Sequence, residues 1–418
     1  MTRRRHSYQS HVNKKTEIKN KTRKNHRRIP TLSSQTYKIL KNAWQRICKY
    51  KHKSAFLHKT VDLTPDEISE IQKTSMYNHI PKEIRDDFES TSRHGVKYET
   101  KLLRGRHVNI YIVFPQSDIK LAKTQIYLEN IIAWLNFVSE IASQECAQTL
   151  NIYLLLTDKI KEFPTIDIEP IDRIHANTAF TTSCSAVNDI FVFRREEWFK
   201  VFMHETFHCF GLDFSSSIGD ESNSRILSLF PAINPKTDIR LYETFCEMWA
   251  EVFHLMFCLY TTKNGKCVHF SENTFSRALH KEQQYSIYQS NKILDRAYYK
   301  YVDLFSLPAN NQPLYTEKTQ AFSYYVIKSI MMWNLDRFVK WCVIYSDTAK
   351  HGPPIQFNHD HISNYCHFIE ELVANDGNYK EMVERIERSD NRNIQKNYAV
   401  LVANENTMRM TSIDPKWK

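Results

Sequence analysis

The sequence predicts an α+β fold, in which a small twisted mixed sheet backs a buried helix and a mainly helical region follows. Three observations lead to this prediction. Four short runs rich in β-branched and aromatic residues lie between residues 108 and 194. An almost wholly apolar helical segment, residues 198–210, comes soon after the last run. Beyond residue 240, helical patterns dominate the chain.

The N-terminal segment, residues 1–30, is predicted to be a disordered basic tail. Its first 28 residues hold eleven lysines and arginines against one acid, and so account for the whole net charge of +10. The tail is either a solvated arm or nuclear-import address, or an arm that binds nucleic acid or an acidic surface through charge. The remaining chain is formally neutral, so charge gives no reason to expect nucleic-acid binding by the folded part.

Residues 31–105 are predicted to form a helical N-terminal region. A first helix is expected over residues 37–50. A second is expected after Thr64, a good N-cap residue that is followed by Pro65 at the first helical position. Residues 76–105 are interpreted as a polar connection.

Residues 106–213 contain the predicted sheet. Strands are expected at 108–114, which Pro115 ends, and at 150–156, 177–183 and 189–194, with a long amphipathic helix at 119–145. Because residues 177–183 carry small and polar side chains, they suit an exposed edge strand or an ordinary solvent-facing one.

The apolar helical segment contains His204-Glu205-x-x-His208, the motif of zinc hydrolases. Residues four apart lie on one face of a helix, so both imidazoles can bind one ion, while Glu205 can accept a proton from a metal-bound water. Burying these polar groups without partners is costly, and a metal ion supplies the partner. Gly211 is expected to end the helix in the left-handed conformation.

A catalytic zinc site needs a third protein ligand. Acids recur at 243, 247 and 251 on an otherwise apolar helix, where they require a cation or histidines as partners. Glu243 and Glu247 are therefore both candidate metal ligands. Asp213, just beyond Gly211, is the other candidate.

The order strand, helix, three strands, helix resembles the N-terminal subdomain of zincin metallopeptidases, and the second acidic helix resembles that of gluzincins. This resemblance implies a zincin-like fold whose edge strand pairs with an extended peptide. It favours Glu243 as the zinc ligand, with Glu247 hydrogen-bonded to a zinc-bound histidine, although Glu247 also fits the ligand position. A tyrosine of the C-terminal subdomain, Tyr325 or Tyr324, is then expected to stabilise the oxyanion.

The segments around the motif are also similar to uncharacterised metallopeptidases of large nucleocytoplasmic DNA viruses, over roughly residues 105–345. The resemblance implies a metallopeptidase that binds one Zn²⁺ and cleaves a polypeptide, with Glu205 as general base. The alternative is a non-catalytic virion or nucleic-acid-associated protein that acts through its basic arm. A helical C-terminal subdomain is expected over residues 214–348 and a helical extension over 349–418.

Nine cysteines without regular spacing are interpreted as free thiols in a reducing compartment. Neither a signal peptide nor a membrane-spanning run is evident. The expected location is therefore intracellular: the host cytoplasm or the virion if the protein is viral, or the nucleus because of the basic tail. The oligomeric state is not predicted.

Overall fold

The computed structural model describes residues 31–53, 59–116, 121–166, 169–217, 220–309, 312–346, 352–388 and 405–417. A six-stranded mixed sheet lies at its centre, with strand order β1-β2-β3-β4-β6-β5. The predicted basic tail, residues 1–30, lies outside the described residues. The α+β class predicted from the sequence is confirmed.

Two parallel pairings, β3 with β4 and β4 with β6, form the middle of the sheet, and the outer pairings are antiparallel. Parallel strands in the middle of a sheet are covered on both faces, which explains their nearly continuous apolar runs. The strands are β1 (Val61–Asp62), β2 (Arg93–Lys101), β3 (His107–Pro115), β4 (Thr149–Thr157), β5 (Ala179–Thr181) and β6 (Val187–Arg194).

The two faces of the sheet contact different layers. Ile190 and Val192 of β6 face the main core, which contains the apolar helices. Phe191 and Phe193 face a smaller core formed by the short helices near residues 65–90. This alternation follows from the two-residue side-chain period of a strand. The predicted strands at 108–114, 150–156 and 189–194 are confirmed.

The polar connection predicted at 76–105 is wrong. This segment contains the helix Lys82–Ser90, which covers the smaller core, and β2, which pairs with β3 along its whole length. Most β2 side chains remain partly or fully exposed. Its sequence is therefore polar, and the usual apolar signal of a strand is missing.

The predicted edge strand at 177–183 is observed as the shorter strand β5. It lies at the end of the strand order and pairs antiparallel with β6. Its other side faces away from the sheet, next to the helix that carries the two motif histidines.

Helices form most of the remaining described chain, as predicted for residues 214–348. The helices are Ser34–Lys53, Pro65–Gln72, Lys82–Ser90, Leu121–Ser139, Arg173–Ala176, Trp198–Cys209, Asp220–Leu227, Leu241–Tyr260, Glu272–Arg296, Lys328–Trp333, Leu335–Tyr345, Ile362–Asn375 and Gly377–Arg388. Within the described residues, no helix is both long and apolar enough to cross a membrane.

The C-terminal extension predicted to be helical is helical only in part. After the helices Ile362–Asn375 and Gly377–Arg388, residues 405–417 have no regular helix. Met408, Met410 and Trp417 of this segment are buried in the main core. The last part of the described chain therefore helps to complete the core.

The prediction that the cysteines are free thiols is wrong for four of them. Cys48 is bonded to Cys267, and Cys146 to Cys184, across 219 and 38 residues of sequence. Partners so far apart cannot be identified from spacing. The other cysteines are free and buried, as predicted: Cys209, Cys246, Cys258, Cys342 and Cys366.

Candidate metal centre

The centre lies between two buried helices, which we call the histidine helix (Trp198–Cys209) and the glutamate helix (Leu241–Tyr260). Both are apolar on nearly every side, so both lie in the main core. The histidine helix ends at Gly211, whose φ of 62° confirms the predicted left-handed conformation. The N–H of Leu212 then donates to the carbonyl of Phe207, which turns the chain back past the helix end.

Three ligand atoms converge between these helices. His204 Nε2 lies 3.1 Å from His208 Nε2 and 2.9 Å from Glu243 Oε2, and His208 Nε2 lies 3.4 Å from the same oxygen. A tetrahedral ion with bonds of about 2.0–2.1 Å separates its ligand atoms by about 3.3 Å. The three observed separations match this spacing, so the group could hold one metal ion.

The opposite ring nitrogens contact two other carboxylates. His204 Nδ1 lies 3.2 Å from Glu247 Oε2, and His208 Nδ1 lies 2.6 Å from Asp213 Oδ2. When a carboxylate accepts a hydrogen bond from the Nδ1–H group, the lone pair of the neutral ring is on Nε2. Of the three acids considered as third ligand, Glu243 therefore reaches the convergence point, whereas Glu247 and Asp213 orient the imidazoles.

Cys246 lies behind His208, away from the convergence point. Its Sγ is 3.8 Å from both His208 Nδ1 and Asp213 Oδ2, so these three side chains form a second buried group of potential ligands. Burial raises the pKa of the Cys246 thiol well above its usual value, despite the adjacent imidazole. The neutral thiol therefore packs against the His208–Asp213 pair.

Two buried lysines, which the sequence analysis did not identify, neutralise the acids of the glutamate helix. Lys200 forms an ion pair with Glu247, and Lys328 forms one with Glu251 at 3.2 Å. Burial raises the pKa of Glu247, but Lys200 and His204 outweigh burial and lower it to about 2. The sequence did contain an indication of the role of Lys200. This lysine precedes His204 by four residues on an apolar helix and therefore lies on the same helix face.

The site favours positive charge at its centre. Burial alone would lower the pKa of His204, but hydrogen bonds with Glu243 and Glu247 raise it to about 9. The pKa of Glu243 is lowered because the two histidines outweigh the effect of burial. Either a proton or a metal cation can therefore neutralise this carboxylate-rich pocket.

Glu205 does not belong to the group of potential ligands, but it lines the adjacent cleft. Its side chain lines a cavity of about 410 Å³ together with His208 and Glu243. Burial raises the pKa of its carboxyl group, although the two imidazoles act in the opposite direction. Glu205 forms no hydrogen bond to the part of the chain that the structure describes, so its carboxylate can interact with a molecule in the cleft.

Tyr325, one of the two tyrosines expected to stabilise the oxyanion, does not line the cleft. Its hydroxyl donates to the carbonyl of Met408, so the side chain points into the core. The alternative, Tyr324, lines the cleft, and its ring centroid lies 6.0 Å from that of His204. Burial, together with the charges of Glu243 and Glu205, raises the pKa of Tyr324 well above its usual value.

These tyrosines lie in a π-helical segment, Phe322–Ile327. A π turn rotates the side chains that follow it relative to an α-helix, and π turns are frequent at functional sites. The sequence cannot show this change of phase, so it could not determine which tyrosine enters the cleft.

The edge strand forms one wall of the cleft. Residues 179–183 line the cavity together with Tyr242, Tyr324 and Glu205. His208, Glu243, the free carboxylate of Glu205 and the strand edge thus line one open space. No family model, curated protein or solved structure matches this chain.

Proposed function

We propose that this protein is a zinc-dependent metallopeptidase with a zincin-like fold. The observation that carries the proposal is the convergence of His204, His208 and Glu243 at tetrahedral spacing beside the free carboxylate of Glu205. A structural zinc site is closed by four protein ligands, whereas a catalytic site has three and an open position. The open cleft at this centre favours the catalytic type.

Zinc fits the donor set better than the harder cations do. Two imidazole nitrogens and one carboxylate oxygen are typical ligands of catalytic zinc, whereas calcium and magnesium prefer oxygen ligands in larger number. Zinc bound there supplies a Lewis acid and a water whose pKa is lowered to about 7.

Glu205 acts as the general base and then as the general acid. Its carboxylate takes a proton from the attacking water and transfers it to the nitrogen of the leaving amine. The raised pKa of Glu205 brings its proton affinity closer to neutrality, which suits both transfers. Tyr324 lines the same cleft as Glu205, where its neutral hydroxyl can donate to the developing oxyanion.

Strand β5 binds the extended peptide by β pairing. The N–H of Phe193 donates to the carbonyl of Thr178, so these two residues form a hydrogen-bonded pair across β5 and β6. Hydrogen-bonded residues alternate along an antiparallel strand, so the backbone groups of Ala179 and Thr181 point outward. They provide donors and acceptors along the cleft wall.

The test compares zinc-loaded wild-type protein with the Glu205→Gln variant on a mixture of unfolded proteins, and cleavage products are identified by mass spectrometry. We expect Glu205→Gln to keep its zinc and to lose at least about 100-fold in rate. Glu145→Gln, an exposed substitution outside the cleft, serves as control and should cleave like the wild type. Equal cleavage by Glu205→Gln and wild type would refute the mechanism.

The second candidate is a nucleic-acid-associated protein without catalytic activity. It is favoured by one observation, the confinement of the net positive charge to residues 1–28. DNA binding that weakens steeply with salt and disappears on deletion of residues 1–30, together with no peptide cleavage, would support it.

A further inference from the structure

We propose that the cleft binds a carboxylate on the part of the peptide that follows the scissile bond. The inference rests on the proposed peptidase function and adds a substrate class to it. It comes from the charges that line the cleft and from the direction of strand β5.

The acidic residues of the cleft belong to the metal centre, whereas its arginines lie outside the centre. Among the described residues that line it, the acids are Glu205 and Glu243, which both belong to the metal centre. The permanent cations are Arg173 and Arg240. The 2+ charge of a zinc ion bound at the centre would compensate these two acids, so the two guanidinium groups would determine the charge of the remaining surface.

Arg173 is the stronger candidate for contact with substrate. It lies in the short helix Arg173–Ala176, which directly precedes β5, and its side chain is exposed. Its guanidinium has no ion pair or hydrogen bond to any residue that the structure describes. An unpaired guanidinium in a cleft can form a bidentate contact with a carboxylate.

Arg240 is partly engaged but keeps donor capacity. Its Nε lies 2.7 Å from Asp238 Oδ2, and its Nη1 donates to the hydroxyl of Tyr242 at 3.1 Å. The side chain of Asp238 is 53% exposed, so water weakens this pair. Within the described chain Nη2 has no partner, so Arg240 adds a second N–H donor to the cleft.

The segment 318–320 connects the surroundings of the two arginines. Thr319 hydrogen-bonds Asn177, which follows the helix of Arg173, and Gln320 donates to Asp238, the partner of Arg240. Asn177 and Gln320 also line the cleft. This segment therefore links the walls that carry the two guanidinium groups at the end where β5 begins.

The direction of the peptide determines which part of it reaches this end. A peptide that pairs antiparallel with β5, the more stable arrangement, runs opposite to the strand. Its residues after the scissile bond then lie toward the start of β5, which follows Arg173 by a few residues. The carboxylate there is either an Asp or Glu side chain or the free C-terminus of the peptide.

The experiment measures peptide binding to the zinc-loaded Glu205→Gln protein, which does not consume its ligand. Three pools of random octapeptides are compared by native mass spectrometry. The first pool has neutral side chains and amidated C-termini. The second contains Asp and Glu and has amidated C-termini, and the third has neutral side chains and free C-termini. We expect about three- to tenfold tighter binding of one carboxylate-bearing pool than of the neutral amidated pool. The pool that binds more tightly identifies the source of the carboxylate.

Arg173→Ala, made in the Glu205→Gln protein, should remove this preference, and Arg173→Lys should retain part of it. Arg277→Ala, which removes another exposed arginine from a helix outside the cleft, should leave this preference unchanged. Equal binding of all three pools, or a preference that survives Arg173→Ala, would overturn the inference. Peptide cleavage by the wild-type protein is measured separately. If the wild type cleaves peptides but the carboxylate preference is absent, only this inference is refuted. If the preference is present but no peptide is cleaved, only the proposed peptidase function is refuted.

Discussion

Lys200 forms a buried ion pair with Glu247, and the other carboxylate oxygen of Glu247 lies 3.2 Å from Nδ1 of His204. The side chains of Lys200 and Glu247 are 0% and 3% exposed. Lys200 therefore keeps Glu247 ionised, and the ionised carboxylate orients His204. The position of the candidate metal ligand thus depends on a lysine one turn earlier on the same helix.

Lys200→Met should destabilise the protein by about 3–5 kcal/mol, because it leaves Glu247 buried without its lysine partner. The measurement is urea unfolding of the metal-free protein at neutral pH. Lys340→Met removes a lysine that is 45% exposed from its ion pair with Asp336 and should change the free energy of unfolding by less than about 1 kcal/mol. Equal effects of the two substitutions would show that burial does not determine the importance of Lys200.

Glu243→Ala should abolish stoichiometric zinc binding, because it removes one of the three convergent ligand atoms. Glu247→Gln and Asp213→Asn should each weaken zinc binding by only about 10- to 100-fold, since they change the orientation of a histidine and not its coordination. Zinc content is measured after dialysis against a weak chelator. The matched control is Glu251→Gln on the same helix, which should retain zinc, and equal losses in all four variants would contradict these roles.

Local patterns were sufficient to locate the two helices of the site. His204 and His208 lie on one face by helical spacing, and the apolar character of residues 198–210 and 242–254 predicted buried helices. The acids at 243 and 247 indicated that a cation was needed. These features depend on neighbours within about two helical turns, which a single sequence contains.

Features that depend on distant partners were not predictable in this way. The partner of Lys200 is 47 residues away, and the partner of Cys48 is 219 residues away. Strand β2 was missed because its pairing with β3 compensates for a polar sequence. Tyr324 and Tyr325 differ by about 100° around a helix, so only the packing of the π-helical segment determines which one enters the cleft.

Tyr324→Phe should lower kcat by about 100-fold or more and leave KM and zinc content nearly unchanged, as expected for the loss of a hydrogen-bond donor to the oxyanion. Tyr325→Phe is the matched control. It removes a buried hydrogen bond to Met408, so it should reduce stability by about 1 kcal/mol and have little effect on kcat. A larger kcat loss in Tyr325→Phe than in Tyr324→Phe would reverse the assignment made from the geometry.

Glu317 should make stability depend on pH. Burial raises its pKa from 4.5 to about 8, although its carboxylate accepts hydrogen bonds from the Tyr315 hydroxyl and the Phe322 N–H. The folded state thus binds a proton more tightly than the unfolded state, so this stabilisation is fully present below about pH 4.5 and is lost as pH rises through about 8. Glu317→Gln keeps a hydrogen-bond acceptor but has no titratable group. Between pH 5 and pH 8, the free energy of unfolding of the wild type should therefore fall by at least about 1 kcal/mol relative to that of the variant. Urea unfolding across this range measures the difference, and parallel curves for the two proteins would show that the Glu317 carboxyl does not titrate as its burial requires.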